Sequence, residues 1–177
     1  PPLRPGPPLA DLVAGMFGAH GAMAALYQRE RTGVGQRVET NLIDGQISNL
    51  AYQISYYLCS GLVPKPMGSG HLSLVPYKAY KTKEGYVSIG PSWPRLARVL
   101  DVEWMIDDPR FKDQPSRVAN RESFDRIIEE ALQREKAEDW LEVFYAEDIV
   151  AGPVNTIDKA VEDPQVLHNN MIVSMEH

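Results

Sequence analysis

The chain has 177 residues, 44% hydrophobic and 24% charged, enough for one good-sized domain with a real core. A net charge of −6 and a pI near 5.2 argue against a general nucleic-acid binder or an anionic-membrane binder. Cys59 is the single cysteine, which excludes an internal disulfide and fits a reducing, cytoplasmic setting; with no uninterrupted run of eighteen apolar residues and no signal peptide, no membrane span is expected.

Five of the first eight residues are proline, so the chain opens on an extended lead-in. From about Asp11 to Arg31 the pattern predicts a helix, with Leu12, Met16, Ala19, Met23 and Leu26 on one apolar stripe. Gly15, Gly18, Gly21 and several alanines keep that helix thin, at roughly 1 kcal/mol per interior glycine relative to alanine. Thinness suits tight packing or a ligand-facing surface equally. Gly33 and Gly35 stop the helix behind Arg29 and Arg31. Gln36 to Leu42 reads as a strand, and Ile43, Ile47, Leu50, Ile54 and Leu58 as the core face of a second helix ended by Ser60-Gly61.

Residues 62–73 form a loop, and residues 76–91 a β-hairpin of Tyr77–Thr82 and Tyr86–Gly90 turned at Lys83-Glu84-Gly85. A short helix is expected over Trp93–Val99. Asn120 is placed to cap a longer one whose buried face carries Phe124, Ile127, Ile128, Ala131 and Leu132. Ala137, Trp140, Leu141 and Phe144 repeat the spacing. Gly152 to Asn155 is a loop or short strand, one helical turn ends and another begins at 161–164, and Met171–Met175 reads as a closing strand.

Three features could carry chemistry. Asp11 stands before the first apolar residue of its helix, where a carboxylate either caps backbone amides or, favoured by the helix dipole, serves as a nucleophile. Gly68-Ser69-Gly70-His71 is a small glycine loop whose backbone N–H groups could approach a developing oxyanion without a Cβ clash, or simply a turn. Lys65, Lys78, Lys81 and Lys83 form a local basic surplus, suited either to an anionic ligand or to guarding a strand edge. His20 lies near the small-residue face of the first helix. His168 and His177 have no partner at metal-ligand spacing, so no metal is expected. Phosphate-loop, dinucleotide and serine-elbow motifs are missing from the sequence.

Asp11-Leu12-Val13-Ala14-Gly15-Met16, Arg31-Thr32-Gly33-Val34-Gly35-Gln36 and Leu42-Ile43-Asp44-Gly45 together resemble the D-L-x-x-G-M, R-T-G-x-G-Q and L-x-D-G segments of the family III CoA-transferases, the group of formyl-CoA transferase and the acyl-CoA racemases. Pro76-Tyr77 with Thr82 and Gly85-Tyr86, Asp108-Pro109-Arg110-Phe111, Ala137-Glu138-Asp139-Trp140, and Gly152-Pro153-Val154 with Asp163-Pro164-Gln165-Val166 resemble further family segments in family order.

The resemblance implies an α+β chain that is a fragment of the α/β family fold. Residues 1–62 would be a piece of the large domain carrying the Asp motif, 63–165 a small domain with hairpin and helices, and 166–177 the start of the return to the large domain. It also implies that the chain is a partial one, without the half that supplies most coenzyme A contacts. The activity implied is transfer of coenzyme A, as substrate and product, between an acyl-CoA and a small carboxylic acid. Asp11 would be the catalytic nucleophile and Gly68, Ser69, Gly70 and His71 the substrate loop, here Gly-Ser-Gly-His where formyl-CoA transferase has a run of glycines. A homodimer or higher oligomer is expected, and little transfer by the isolated piece. Two alternatives stay open at this level: an acyl-CoA racemase exchanging an α-proton, and a non-catalytic truncated module that self-associates.

Overall fold

A computed structural model describes residues 4–176 of the chain as an α+β arrangement. It divides into two compact units, Pro1–Pro66 and Met67–His177.

The first unit is built on α1 (Leu9–Thr32), which ends where Gly33 turns left-handed (φ 73°) and its amide closes on the Arg29 carbonyl at 2.8 Å. Residues 36–41 are extended and run back along α1, but among the described residues they pair with no strand, so the expected strand is absent. Val38 and Thr40 have the β-branched shape of strand residues, yet a ladder needs a partner and they lie on a helix instead. Asn41 caps α2 (Leu42–Asn49), accepting from the Asp44 amide at 2.9 Å. The expected single second helix is interrupted at Leu50, after the weak helix formers Ser48 and Asn49, and resumes as α3 (Ala51–Ser60) up to left-handed Gly61.

Packing within this unit runs against the expected stripes. Leu12, Met16, Met23 and Leu26 are exposed, as are Ile43, Ile47, Leu50 and Leu58. The buried positions are Ala14, Ala25 and Gly45. A Cβ added at Gly21 would stand 2.5 Å from Val38 Cγ1, one at Gly18 3.4 Å from Thr40 Cγ2, and one at Gly45 3.1 Å from Val13 Cγ1. The thin face of α1 is therefore used, and what it packs is the extended segment and α2. With a mean hydropathy of 1.4 over an eighteen-residue window, α1 is long and apolar enough to cross a membrane by length and composition, although the sequence has no uninterrupted apolar run of that length.

The second unit has its own core. β1 (Lys78–Lys81) and β2 (Tyr86–Ile89) form the expected hairpin, with Gly85 at φ 86° in the turn and the Thr82 hydroxyl donating to the Glu84 carbonyl at 2.7 Å. The segment left open between loop and strand is β3 (Ala151–Pro153), which pairs antiparallel with β2 to give the order β1-β2-β3. Proline suits this edge because it lacks an amide to donate. The short helix expected from Trp93 starts later, as α4 (Arg95–Val99), followed by α5 (Trp104–Asp107) and α6 (Gln114–Ala119).

α7 (Arg121–Leu132) and α8 (Ala137–Ala146) bury Phe124, Ile128, Leu132, Trp140, Leu141 and Phe144 with Tyr80, Val87 and Ile89 of the sheet. Each such side chain contributes roughly 1.5–3 kcal/mol. Asn120 does not cap α7; its side-chain amide instead donates to the Ser116 and Arg110 carbonyls at 2.9 and 3.3 Å. α9 (Ile157–Val161) and α10 (Pro164–His168) follow, the latter capped by Asp163. Met171–Met175 forms no strand, since among the described residues nothing pairs with it.

Candidate functional site

Asp11 is not the cap of α1. The helix begins two residues earlier, with the Leu9 and Leu12 amides bonded to the Pro7 and Pro8 carbonyls at 2.9 and 3.1 Å, so Asp11 lies inside the first turn. It is exposed, and among the described residues it accepts no hydrogen bond and forms no ion pair. A carboxylate in a first turn is favoured by the unsatisfied amides there and needs no capping role to be so. Its position is fixed one turn further on, where Gly45 of α2 closes on Val13 and Ala14. The D-L-x-x-G-M and L-x-D-G segments thus meet in space. Gly15 stands four residues after Asp11, on the same side of the helix. A Cβ there would meet nothing within 4 Å, so packing inside this unit does not account for it.

The Gly68–His71 loop belongs to the second unit. Gly68 is left-handed (φ 62°) and the Gly70 amide closes a turn on the Met67 carbonyl at 3.0 Å. The loop is strapped to the edge of the sheet: Ser69 Oγ accepts from the Ala79 amide at 3.2 Å, the His71 amide donates to the Tyr77 carbonyl at 2.9 Å, and the His71 and Tyr77 rings stack in parallel at 5.0 Å. From the helical side, Arg121 Nη2 donates to the His71 carbonyl at 2.7 Å and the Leu72 carbonyl at 3.1 Å, and Gln114 Nε2 to the Ser73 carbonyl at 3.1 Å. Sequence reasoning gave Arg121 no part. A signal was present all the same, for a cation at the first residue of a helix opposes the dipole and calls for a local partner.

Of the lysines, Lys78 is committed to α7, 3.1 Å from Glu129 and 3.5 Å from Asp125, with its ammonium over the Tyr80 ring; Lys81 is exposed on the edge strand β1. His20 and His168 are exposed, and His177 lies outside the described residues. No group of three metal-ligating side chains occurs among the described residues. A cavity of about 300 Å³ in the second unit is lined by Glu84, Tyr86, Lys136, Glu138, Asn155 and Lys159 among others, and by neither Asp11 nor the glycine loop. Its charges are mutually paired, Lys136 with Glu84 at 2.9 Å and Lys159 with Glu138 at 3.2 Å. The Lys136 hydrogen bond holds the Glu84 carboxyl below, and Glu84 holds the Lys136 ammonium above, their ordinary values.

A family model for CoA-transferase family III matches residues 1–177, the whole chain. The chain belongs to CoA-transferase family III. It is 34% identical over 180 residues to the human succinyl-CoA:glutarate CoA-transferase, a match covering 99% of this chain and 41% of that protein. It is 29% identical to the acetyl-CoA:oxalate CoA-transferase of Acetobacter aceti, covering 98% of this chain and 46% of that protein. Among solved structures, a CAIB/BAIF family protein from Brucella suis superposes with a TM-score of 0.81 at 32% identity, over 97% of this chain and 47% of its own. The chain therefore spans less than half the length of these relatives. Family III membership accounts for the α+β arrangement of long helices, small antiparallel sheet and helical remainder.

Proposed function

We propose that the protein carrying this sequence transfers coenzyme A between an acyl-CoA and a small carboxylic acid, with Asp11 as the acyl acceptor. One Asp11 carboxylate oxygen attacks the thioester carbon. The C–S bond breaks, coenzyme A leaves as the thiolate, and a mixed anhydride remains. The thiolate then attacks the aspartyl carbonyl, releasing the original acid and leaving an aspartyl-CoA thioester. Attack by the incoming carboxylate on that thioester, followed by return of the thiolate to the new acyl carbon, regenerates Asp11.

The observation that carries this reading is the exposed carboxylate in the first turn of α1, without a partner among the described residues, with the Cβ-free surface of Gly15 one turn below it. The names of the relatives favour transfer over racemisation. Gly68, Ser69, Gly70 and His71 are assigned as the substrate loop, coenzyme A is substrate and product, and a cytoplasmic homodimer or higher oligomer is the proposed working form.

The test is mass spectrometry of the whole protein after incubation with an acyl-CoA. An adduct on the peptide containing Asp11, lost in Asp11→Ala together with at least about 10³-fold of the transfer rate, is expected. An adduct elsewhere, or an Asp11→Ala enzyme with normal turnover, would refute the assignment. The 177-residue polypeptide by itself is proposed to transfer little, and the same assay applied to it decides that.

A further inference from the structure

We propose that Arg121 is a positioning residue for acyl transfer, a clamp that sets the conformation of the Gly68–His71 loop; this rests on the substrate-loop reading above. Its guanidinium stands at the first residue of α7, where the dipole disfavours a cation, yet it is half-buried and bridges two successive carbonyls, His71 at 2.7 Å and Leu72 at 3.1 Å. Both bonds leave one nitrogen, Nη2, whose N–H donors are fixed in the guanidinium plane, whereas those of a lysine ammonium rotate on a flexible stem. The contact is close enough to shape the loop's sequence, because a Cβ at Gly70 would stand 3.4 Å from Arg121 Nη1 and 3.1 Å from the Met67 carbonyl.

The clamp works with the strand edge. Ser69 Oγ and the Tyr77 carbonyl fix the loop from the β1 side. Arg121 fixes it from α7, which is itself tied to β1 through Tyr80–Asp125 and Lys78–Glu129. The amides used by the loop's own fold are those of Gly70, His71 and Ser73. Among the described residues those of Gly68 and Ser69 carry no hydrogen bond, and they lie just before the clamped carbonyls. Holding residues 71 and 72 thus fixes the direction in which these two donors point. Loss of the clamp leaves the residues of the loop intact while their geometry loosens.

The experiment uses the whole protein with Arg121→Ala and, as a variant that keeps the positive charge beside Tyr80 and Asp125, Arg121→Lys. Hydrogen exchange of the Gly70, His71 and Ser73 amides should accelerate by about tenfold or more in Arg121→Ala, while amides of α7 beyond Phe124 keep their protection. Misplaced loop donors should lower kcat by about tenfold to a hundredfold with KM changed far less, and Arg121→Lys should recover part of the loss. Unchanged exchange in the loop overturns the clamp. Faster exchange across the whole second unit in both variants overturns it too, by showing general destabilisation. Loosened loop amides with unaltered kcat overturn the positioning role alone. An unsubstituted protein that moves no acyl group would remove the transferase reading, and the role with it.

Discussion

Replacing Tyr80 by phenylalanine removes a single oxygen from the centre of the second unit, and its consequences at two pH values follow from the geometry. The ring is fully buried, the hydroxyl donates to Asp125 Oδ1 at 2.7 Å, and Asp125 faces the Lys78 ammonium at 3.5 Å. A hydrogen bond to a charged group contributes about 1.5–3 kcal/mol, and Asp125 retains its ammonium neighbour, so the expected loss near pH 7 is about 2 kcal/mol. Burial first, and then the Asp125 carboxylate, push the Tyr80 phenol above its ordinary value, with Glu129 adding and Arg121 opposing. The folded state therefore keeps a proton that the unfolded chain gives up once the pH passes about 10.

Stability carried by a raised phenol is complete below that pH and declines above it, by about 1.4 kcal/mol per pH unit. Phenylalanine has no such decline. The difference between the two proteins should shrink as the solution turns alkaline and vanish about one and a half units above pH 10. All three tryptophans, Trp93, Trp104 and Trp140, lie in the second unit, so tryptophan fluorescence during urea unfolding reports on it alone. A Tyr80→Phe protein with an unchanged midpoint at pH 7 would refute the hydrogen-bond argument. A stability gap that stays constant up to pH 11 would refute the proton argument.

Two further substitutions probe the framework around the candidate residues. Gly45→Leu forces a branched side chain into the 3.1 Å gap to Val13 and should cost about 1–3 kcal/mol of overpacking, with a fall in kcat because the start of α1 shifts; normal kcat and an unaltered urea midpoint would contradict the packing described. Trp140→Phe removes the indole bond to the Leu132 carbonyl (2.9 Å) and part of a buried ring, for an expected loss of about 1–3 kcal/mol in thermal or urea unfolding.

How far the sequence could be read differs between the two units, for a physical reason. In the second unit α7 and α8 show one apolar face each, and the hairpin has Gly85 at the turn, so local pattern and burial agree. Helix ends at Gly33 and Gly61 were equally legible, because a left-handed residue is a local requirement. Burial direction in the first unit was not. α1 has large apolar residues at helical spacing and small ones between them, two surfaces that both look apolar, and the unit packs through the small one. Asn120 and residues 36–42 misled in a related way, since a cap or a strand exists only if the right partner stands opposite.

The same distinction separates the glycines of α1. Gly18 and Gly21 have an internal explanation, as each makes room for the extended segment. Gly15 has none, and an interior glycine costs a helix about 1 kcal/mol relative to alanine. That cost has no return in the packing of this unit. Asp11, whose carboxylate oxygens have no partner among the described residues, shares that side of the helix one turn away. Within these first two turns, the proposed nucleophile and the glycine one turn from it are linked by helix geometry alone, and the packing of the unit accounts for neither.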